Sequence, residues 1–423
     1  MRHGHSLPTL ELSIAISCLL TVGMLVLVPW LLTGERLSTP SALEAAGAET
    51  PLAFRPSPTV PDALVGRALW GATTPTPAPP PYPTWVRAER AAPLRSRPDS
   101  VGDQMVTRLE EGSYLKVVGA QGSRLLVYYG GDGDASAKGQ GWIDREDVMP
   151  ARAPRWVETR SDSALLSGAG GAATSLLPQG ALLEVLEDRD LYLHVFHRGD
   201  GRSRDAGEGW VRASAVGAAG GMLSAERRGV SILSYEQFTH LRSGDGLWLK
   251  VPFRTQFDGS PAAASNCGPA SLGMALEYLG TTVDTAQLRD AANRLQGTSG
   301  PDVGFGIEHL ASVAELFGAR SLDLYQGRSF RRWGVEDLRG HLKERHPVIV
   351  ELRFRQMPGR SQSETWDDHY VVITGALEDH FIYNDSVDTD GPGYARIMTE
   401  GDLMRAWARS DFPFAAFAVA QRR

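Results

Sequence analysis

The sequence predicts a chain of several domains, in which one membrane-spanning helix and two small all-β barrels precede a C-terminal α+β domain. Three observations support this prediction. A charge-free apolar run lies near the amino terminus, a pattern repeats with an offset of 68 residues between 85 and 218, and a cysteine opens a helical pattern that apolar strands follow. With 423 residues the chain is too long for one ordinary core.

Composition excludes some classes of function. The formal charge of -7 at pH 7 argues against a nucleic-acid partner, because no basic stripe is available to displace counterions from phosphates. The two cysteines are Cys18, inside the apolar run, and Cys267. An intramolecular disulfide is therefore not expected, and an unpaired thiol in an extracytoplasmic chain indicates a use for Cys267. No cofactor and no metal ion are predicted.

The amino-terminal run, residues 12–32, contains no charged residue. As a helix of about 20 residues it would span roughly 30 Å, the thickness of a hydrocarbon core. A cleaved signal peptide is the alternative, but such signals have apolar regions of roughly 7 to 15 residues, and we expect a retained anchor. Arg2 predicts that residues 1–11 are cytoplasmic and that the single-pass protein has its bulk outside the membrane. Residues 33–84, rich in Pro, Ala and Thr, are predicted to form a disordered stalk.

An internal repeat covers residues 85–218. Both copies carry a Leu-x-x-Gly turn, alternating strand patterns and a Gly-Trp pair. Residues 68 positions apart correspond: Leu109 and Leu177, Val117 and Val185, Val127 and Val195, Trp142 and Trp210. Short strands between glycine-rich turns predict two β-barrels, at 85–150 and 153–218. We expect Trp142 and Trp210 to lie in the barrel cores rather than on ligand platforms.

The order of these motifs resembles the bacterial Src-homology-3-like domain. This resemblance implies barrels that bind peptidoglycan or another cell-wall polymer, or that only space and pack other domains. His194 and His197 have no cysteine or carboxylate pattern around them, so a metal site there is not expected.

The C-terminal domain is predicted at 247–423, after a glycine-rich linker at 219–246, and residues 248–253 are its predicted first strand. Beyond Cys267, apolar residues recur at helical spacing until Gly280. These residues are Leu272, Ala275, Leu276 and Leu279. Cys267 is therefore placed in the first turn of an amphipathic helix, where unpaired N–H groups and the helix dipole stabilise a thiolate. The alternative, a small buried apolar residue, does not account for the Asn-Cys-Gly-Pro sequence around it.

A nucleophilic cysteine needs a base and a group that orients the base. His369 begins an apolar strand, and the next strand ends at Asp385. If the turn at 375–379 joins them as antiparallel neighbours, His369 and Asp385 can share a hydrogen bond. Asn384 is the alternative orienting residue, but the period of two turns it to the opposite face. His309, His341 and His346 are expected at the surface.

Acyl transfer also needs donors to the oxyanion. The Cys267 N–H is one candidate, and the side-chain amide of Gln256, eleven residues upstream, is the second. Asp367 and Asp368, next to His369, could bind a cation or a basic substrate, although a solvated turn is the simpler interpretation.

The motifs at Gln256, Cys267, His369 and Asp385, in this order, resemble the papain-like, bacteriocin-processing peptidases that cleave after a double glycine, and their stand-alone relatives. The resemblance implies that Cys267 is the nucleophile, His369 the base, Asp385 the orienting acid and Gln256 an oxyanion donor. One departure is Asp-Ser in place of the usual Asp-Pro after the acid, which leaves the identity of the acid less certain.

The predicted function is a membrane-anchored extracytoplasmic cysteine hydrolase that cleaves peptide or amide bonds in peptide or peptidoglycan-type substrates. One alternative is a catalytically silent surface adaptor whose barrels hold cell-wall polymer. Another is a transglutaminase or a wall endopeptidase of the same architecture, which the Cys-Gly-Pro-Ala-Ser sequence fits less well.

Overall fold

The structure is a computed structural model that describes residues 83–99, 105–130, 139–189, 191–220, 231–388 and 393–422. These residues belong to one compact unit, 77–423. None of the helices in the described part of the chain combines the length and the apolar character needed to cross a membrane. The predicted membrane helix at 12–32 lies outside the described residues, as does almost all of the predicted stalk.

The first repeat forms a seven-stranded antiparallel sheet in the order β3-β2-β6-β5-β4-β1-β7. Its strands are β1 Trp85–Ala88, β2 Ala92–Arg95, β3 Met105–Leu109, β4 Tyr114–Gln121, β5 Arg124–Tyr129, β6 Gly139–Asp144 and β7 Val148–Ala151. Alternate residues of these strands, such as Leu94, Leu115 and Val127, are buried in one apolar cluster. Their burial follows from the period of two along each strand.

The second repeat forms a sheet of the same order, β10-β9-β13-β12-β11-β8-β14. Its strands are β8 Trp156–Thr159, β9 Ser163–Leu166, β10 Ala173–Leu177, β11 Leu182–Arg189, β12 Tyr192–His197, β13 Gly207–Arg212 and β14 Val216–Ala218. A register shift after Val117 in the first sheet recurs after Val185 in the second. The 68-residue offset of the sequence is thus also an offset of the structure.

The tryptophans of the two Gly-Trp pairs do not lie in the cores, and that prediction was wrong. Trp142 and Trp210 are half-buried, whereas Trp85 and Trp156 are 1% and 3% exposed. The inward position belongs to the glycine of each pair, because a Cβ on Gly141 would meet Leu94 at 2.4 Å. Alternation then turns the tryptophan outward.

The C-terminal domain has six described helices: α1 Tyr235–Ser243, α2 Cys267–Tyr278, α3 Thr285–Gln296, α4 Ile307–Leu316, α5 Val335–Lys343 and α6 Glu400–Trp407. Its strands are β15 Ser231–Ile232, β16 Gly246–Trp248, β17 Ala319–Leu322, β18 Tyr325–Gln326, β19 Ser329–Phe330, β20 Val348–Arg353, β21 Asp368–Leu377, β22 His380–Asn384, β23 Arg396–Thr399 and β24 Ala416–Gln421. The main sheet has the order β15-β23-β22-β21-β20-β24-β17, with β16 also paired to β21. The segment predicted as a linker, 219–246, therefore contributes α1 and β15 to this domain.

The strand predicted at 248–253 was wrong, since the observed strand β16 shares only Trp248 with it. Strand β16 ends at Trp248, although the Leu249 N–H still donates to the Thr374 carbonyl at 2.7 Å. Pro252 has no N–H to continue the ladder. Gly201 of the second repeat, called the second barrel after its predicted fold, lies against this segment, since a Cβ there would be 2.8 Å from the Val251 carbonyl oxygen. The chain is therefore diverted from the sheet to meet the barrel.

Helix α2 is buried on all sides rather than amphipathic, which corrects the prediction. Residues 268–276 are all buried, and they pack into one core with strand residues such as Val371 and Phe417. Gly268 permits this packing, because a Cβ there would meet the Leu310 side chain at 2.7 Å. A fully buried helix fixes the position of its first residue, Cys267, more tightly than a surface helix would.

Candidate active site

A cleft of about 600 Å³ opens where the start of helix α2 meets the start of strand β21. Cys267, Gln256 and His369 all line this cleft. The structure therefore brings His369 close to Gln256 and Cys267, which both lie more than a hundred positions earlier in the sequence. Asp385 lies behind His369 and is fully buried.

Cys267 is a free, half-buried cysteine and the first residue of α2. Burial raises the pKa of its thiol, but the hydrogen bond and charge of His369 and the backbone N–H groups of Tyr370 and Gly268 lower it. The net pKa lies below the usual value. Because the first N–H groups of a helix have no partners within it, this position favours a thiolate.

His369 is held by Asp385. The His369 Nε2 lies 2.7 Å from the Asp385 Oδ1, and the two residues are 4% and 0% exposed. They meet because β21 and β22 are antiparallel neighbours joined by a two-residue turn at Glu378 and Asp379, tighter than the expected loop at 375–379. Glu378 has a positive φ of 50° in this turn.

Asn384 does not point toward His369. Its Nδ2 donates to the Val251 carbonyl at 2.9 Å, and its Oδ1 accepts from the Ala395 N–H at 3.1 Å. Asn384 thus fixes the segment before α2 against strand β22, on the other side from the histidine.

The charges of the site support an ion pair. Burial lowers the pKa of His369, but the charge and hydrogen bond of Asp385 and the contact with Cys267 raise it, to about 9. Burial raises the pKa of Asp385, whereas His369 and two arginines lower it well below the usual range. This arrangement favours an imidazolium at His369, beside the Asp385 carboxylate, and thereby favours ionisation of the Cys267 thiol.

The two arginines beside Asp385 were not foreseen from the sequence. Arg360 Nη2 is 3.2 Å and Arg396 Nη1 is 3.3 Å from the Asp385 Oδ2. Both also contact Asp388, Arg360 at 3.0 Å. Arg396 is 1% exposed. The two arginines form no sequence motif, so only the folded chain shows their role. Both contact the Asp385 Oδ2, so that the Oδ1 is available to His369.

Gln256 is fixed by the residue that departs from the family pattern. The Ser386 hydroxyl donates to the Gln256 Oε1 at 3.2 Å, and the Gln256 N–H donates to the Ser386 carbonyl at 2.8 Å. This orientation directs the Gln256 Nε2 to the carbonyls of Ala263 and Ala264, at 3.2 and 3.1 Å. Serine after the acid therefore has a function that proline could not provide, since proline has no hydroxyl.

Arg289 of helix α3 is a further site residue that the sequence did not indicate. Its guanidinium donates to the Ser265 carbonyl and to the Asn266 Oδ1, at 3.2 and 3.1 Å. It also donates to the carbonyls of Gly300, Pro301 and Val303. One buried side chain thereby ties the turn before Cys267 to the opposite wall of the cleft.

Asp368 is not part of a solvated turn. Its side chain is 6% exposed, and its Oδ1 lies 3.0 Å from the Arg353 Nε. Burial raises its pKa above the usual value, against the Asp411 N–H and Arg353, which lower it. Asp367 is exposed, as predicted for both residues. These two carboxyls lie in the lining of the same cleft.

A possible metal-binding group lies elsewhere. His341, Glu344 and His346 offer ligand atoms within 4.8 Å of one another. His341 Nε2 also lies 3.2 Å from the Asp323 Oδ2. The two histidines, expected at the surface, are half-buried, as is His309. The cleft is not lined by any of these residues.

The family comparison agrees with this geometry. Residues 248–412 match the model of the family described as "Peptidase_C39 like family". This confirms the resemblance read from the motifs around Cys267 and identifies the segment as a papain-like cysteine peptidase domain. No curated protein matches the chain.

Solved structures of similar proteins have low identity to this chain. They include a candidate C39-like peptidase from Bacillus anthracis, with 20% identity, a TM-score of 0.31, and coverage of 42% of this chain and 98% of that one. The peptidase domain of Streptococcus ComA, a bi-functional ABC transporter, has 19% identity, a TM-score of 0.28, and coverage of 40% and 97%. A double glycine motif protease from an AMS/PCAT transporter, in complex with its leader peptide, has 18% identity, a TM-score of 0.25, and coverage of 41% and 92%. Scores of this size carry no argument about activity.

Proposed function

Residues 248–412 belong to the C39-like family of papain-like cysteine peptidases, and from this premise we propose that the chain hydrolyses peptide or amide bonds with Cys267 as the nucleophile. The observation that carries the proposal is His369, held between Cys267 and the buried Asp385 in an open cleft. Membership of a family does not by itself show that an activated thiol, a base and an orienting acid lie in this arrangement.

In the proposed reaction the Cys267 thiolate attacks the scissile carbonyl carbon, and the carbonyl π electrons move to the oxygen. His369 then donates its proton to the leaving amine as the carbon–nitrogen bond breaks and a thioester remains. In the second half a water gives a proton to His369 and attacks the thioester, and Cys267 leaves as the thiolate. Asp385 keeps the imidazole oriented throughout.

The oxyanion would be stabilised by the Cys267 N–H and by Gln256. The Nε2 of Gln256 now serves two carbonyls, those of Ala263 and Ala264. Donation to an oxyanion therefore requires one N–H to turn from a carbonyl to the substrate. Such preorganised donors contribute about 10²- to 10³-fold to the rate.

The location of the protein is part of the proposal and is supported by the sequence. Residues 12–32 would anchor the chain in the cell membrane, residues 33–84 would act as a stalk, and the enzyme would lie outside the cytoplasm. The two barrels, which resemble Src-homology-3-like domains, would hold cell-wall polymer near the cleft. A peptide or peptidoglycan-type substrate fits this location.

The test uses the full chain, incubated with a short-peptide library and with purified peptidoglycan fragments. Wild-type protein is expected to hydrolyse at least one substrate and to be labelled at Cys267 by iodoacetamide. Cys267→Ala should lose both properties, whereas the matched control Cys18→Ala should keep the hydrolysis. Equal turnover by Cys267→Ala, or capture of wall polymer without any cleavage by the wild type, would overturn the proposal; the second result would favour an adaptor.

A further inference from the structure

In the lining of the cleft, carboxyl groups outnumber the basic side chains of Arg353 and His369. Its lining includes five carboxyl groups, those of Asp302, Glu351, Asp367, Asp368 and Asp411. Among the described residues of the lining, Arg353 is the one arginine or lysine. A cleft with this imbalance attracts cations and repels anions, and its low-dielectric walls strengthen the effect.

Arg353 is already engaged and cannot balance the remaining carboxyls. Its Nε lies 3.0 Å from the Asp368 Oδ1, and its Nη2 lies 2.7 Å from the Asp411 Oδ1. The Nε N–H donates to the Arg409 carbonyl at 2.9 Å, and Nη1 donates to the Trp366 carbonyl at 2.6 Å. Asp302, Asp367 and Glu351 are therefore left without this cation.

Glu351 is the carboxyl group that distinguishes this cleft from a merely acidic surface. It is 6% exposed, it lines the cleft, and its Oε2 has no hydrogen-bond partner. It stands on β20 directly opposite Tyr370 of β21, one residue from His369. A buried carboxyl oxygen without a partner is costly, unless a ligand supplies the missing donor.

We infer that Glu351 and the surrounding carboxyls form a subsite for a cationic group of the substrate, a primary ammonium or a guanidinium, next to Cys267. This inference rests on the proposed function, because it names the class of substrate for the same cleft. A lysine or arginine side chain and a free peptide amino terminus carry this chemistry. Neutral residues of the same size would leave the Glu351 oxygen without a partner.

The titration of Glu351 gives the subsite a signature. Burial and the negative charge of Asp368 raise the pKa of Glu351 to about 8, although the neighbouring Tyr370 hydroxyl lowers it. Cys267 at the start of α2 and Asp411 after α6 also raise it, and Arg353 is the nearby cation on the same strand. In the free protein the carboxyl is thus mostly protonated at pH 7. A bound ammonium group favours the ionised form, so cation binding strengthens as the pH rises toward 8.

The first experiment measures hydrolysis by the full chain. The substrates are peptides in which one position at a time carries lysine or its neutral isostere norleucine, with free or acetylated amino termini. One position, or the free amino terminus, is expected to raise kcat/KM by about 10- to 100-fold over the neutral form. Glu351→Gln should abolish that preference, measured as the ratio of kcat/KM for the lysine and norleucine forms of the same peptide. Glu336→Gln, an exposed glutamate outside the cleft, is the matched control.

The second experiment separates this inference from the proposed hydrolysis. Binding of the same peptide pairs to full-length Cys267→Ala, measured by fluorescence polarisation between pH 6 and about 8.5, needs no turnover. Tighter lysine-peptide binding with rising pH, lost in Cys267→Ala with Glu351→Gln, supports the subsite even if no peptide is cleaved. Equal affinity for lysine and norleucine peptides overturns it, even if Cys267-dependent hydrolysis is found.

Discussion

The barrels and the C-terminal domain both bury charged side chains, but they use them differently. In the barrels some of these groups lie at junctions between modules: Glu158 of the second barrel accepts from the Tyr128 hydroxyl of the first at 3.4 Å. Arg198 of the second barrel donates to the Tyr394 carbonyl of the C-terminal domain. In the C-terminal domain, Asp385 and His369 converge on one reactive sulfur. Glu158 and Arg198 thus connect neighbouring modules, whereas Asp385 and His369 act on the thiol of Cys267.

Each of the two barrels contacts the module that follows it in the chain through the same position of the repeat. Tyr128 and Phe196 are 68 positions apart, and each faces the module that follows its own. Tyr128 contacts Glu158 of the second barrel, whereas Phe196 packs on the rings of Tyr235 and Phe238 of α1, with centroids 5.7 and 4.9 Å away. The equivalent position in each repeat therefore contacts the next module. The residue type decides whether that contact is a hydrogen bond, as at Tyr128, or aromatic packing, as at Phe196.

The largest effect is expected when the buried charge of Asp385 is removed. Asp385→Asn should lower kcat/KM by about 10³- to 10⁴-fold, because His369 loses the charge that raises its pKa and fixes its orientation. Asp388→Asn is the control, since Asp388 contacts the same two arginines. Its effect should stay within about tenfold. Equal losses in steady-state assays of the two variants would assign the arginine cluster, and not one acid, to the reaction.

The pH dependence of the rate tests the effect of Asp385 on His369. The pKa of His369 is raised to about 9, so the imidazolium is present below that pH and is lost above it. The kcat/KM of the wild type should therefore fall above pH 9, by about tenfold per pH unit. The measurement is a pH-rate profile with one peptide substrate. A decline centred near 6.5, the ordinary value for histidine, would show that Asp385 does not act on His369 in solution.

A smaller effect is expected at the junction between the second barrel and the C-terminal domain. Arg198→Met should lower the free energy of unfolding by about 1 to 3 kcal/mol, because the buried Tyr394 carbonyl loses its donor. Urea unfolding of the full chain measures this. Arg202→Met removes an ion pair with Glu277 at the same junction, in which the Arg202 side chain is 44% exposed, and should cost no more than about 1 kcal/mol. A larger loss of unfolding free energy in Arg202→Met than in Arg198→Met would show that burial does not decide the strength of these contacts.

The smallest effect concerns the junction between the barrels. Burial and the Glu158 charge raise the pKa of Tyr128 to about 12. Tyr128→Phe removes only the hydroxyl and should change the free energy of unfolding by about 0.5 to 1.5 kcal/mol, without changing kcat/KM. Tyr128→Ala should cost about 3 kcal/mol or more, since it also removes the ring packed against Gly217. A loss of activity in Tyr128→Phe would mean that the barrels act on the cleft.

Features that depend on a few neighbouring residues follow from the sequence, whereas features that depend on distant elements do not. The helix at Cys267 and the strand at His369 follow from apolar spacing over a few residues, and both form close to where they were predicted. The outward position of Trp142 was missed because spacing does not say which of two neighbours faces inward. The burial of α2 on all sides depends on elements far away in the chain, so its own period could not show it.

The sequence by itself determined the repeat, the order of the domains' motifs and the residues that could form a thiol, a base and an acid. Local spacing and residue chemistry are enough for these. Only the tertiary structure decided that Arg360 and Arg396 flank Asp385, that Ser386 orients Gln256, and that the Glu351 Oε2 is buried without a hydrogen-bond partner. The physical reason is that charge interactions and desolvation depend on distance in space, and chain folding brings together groups that no sequence spacing relates.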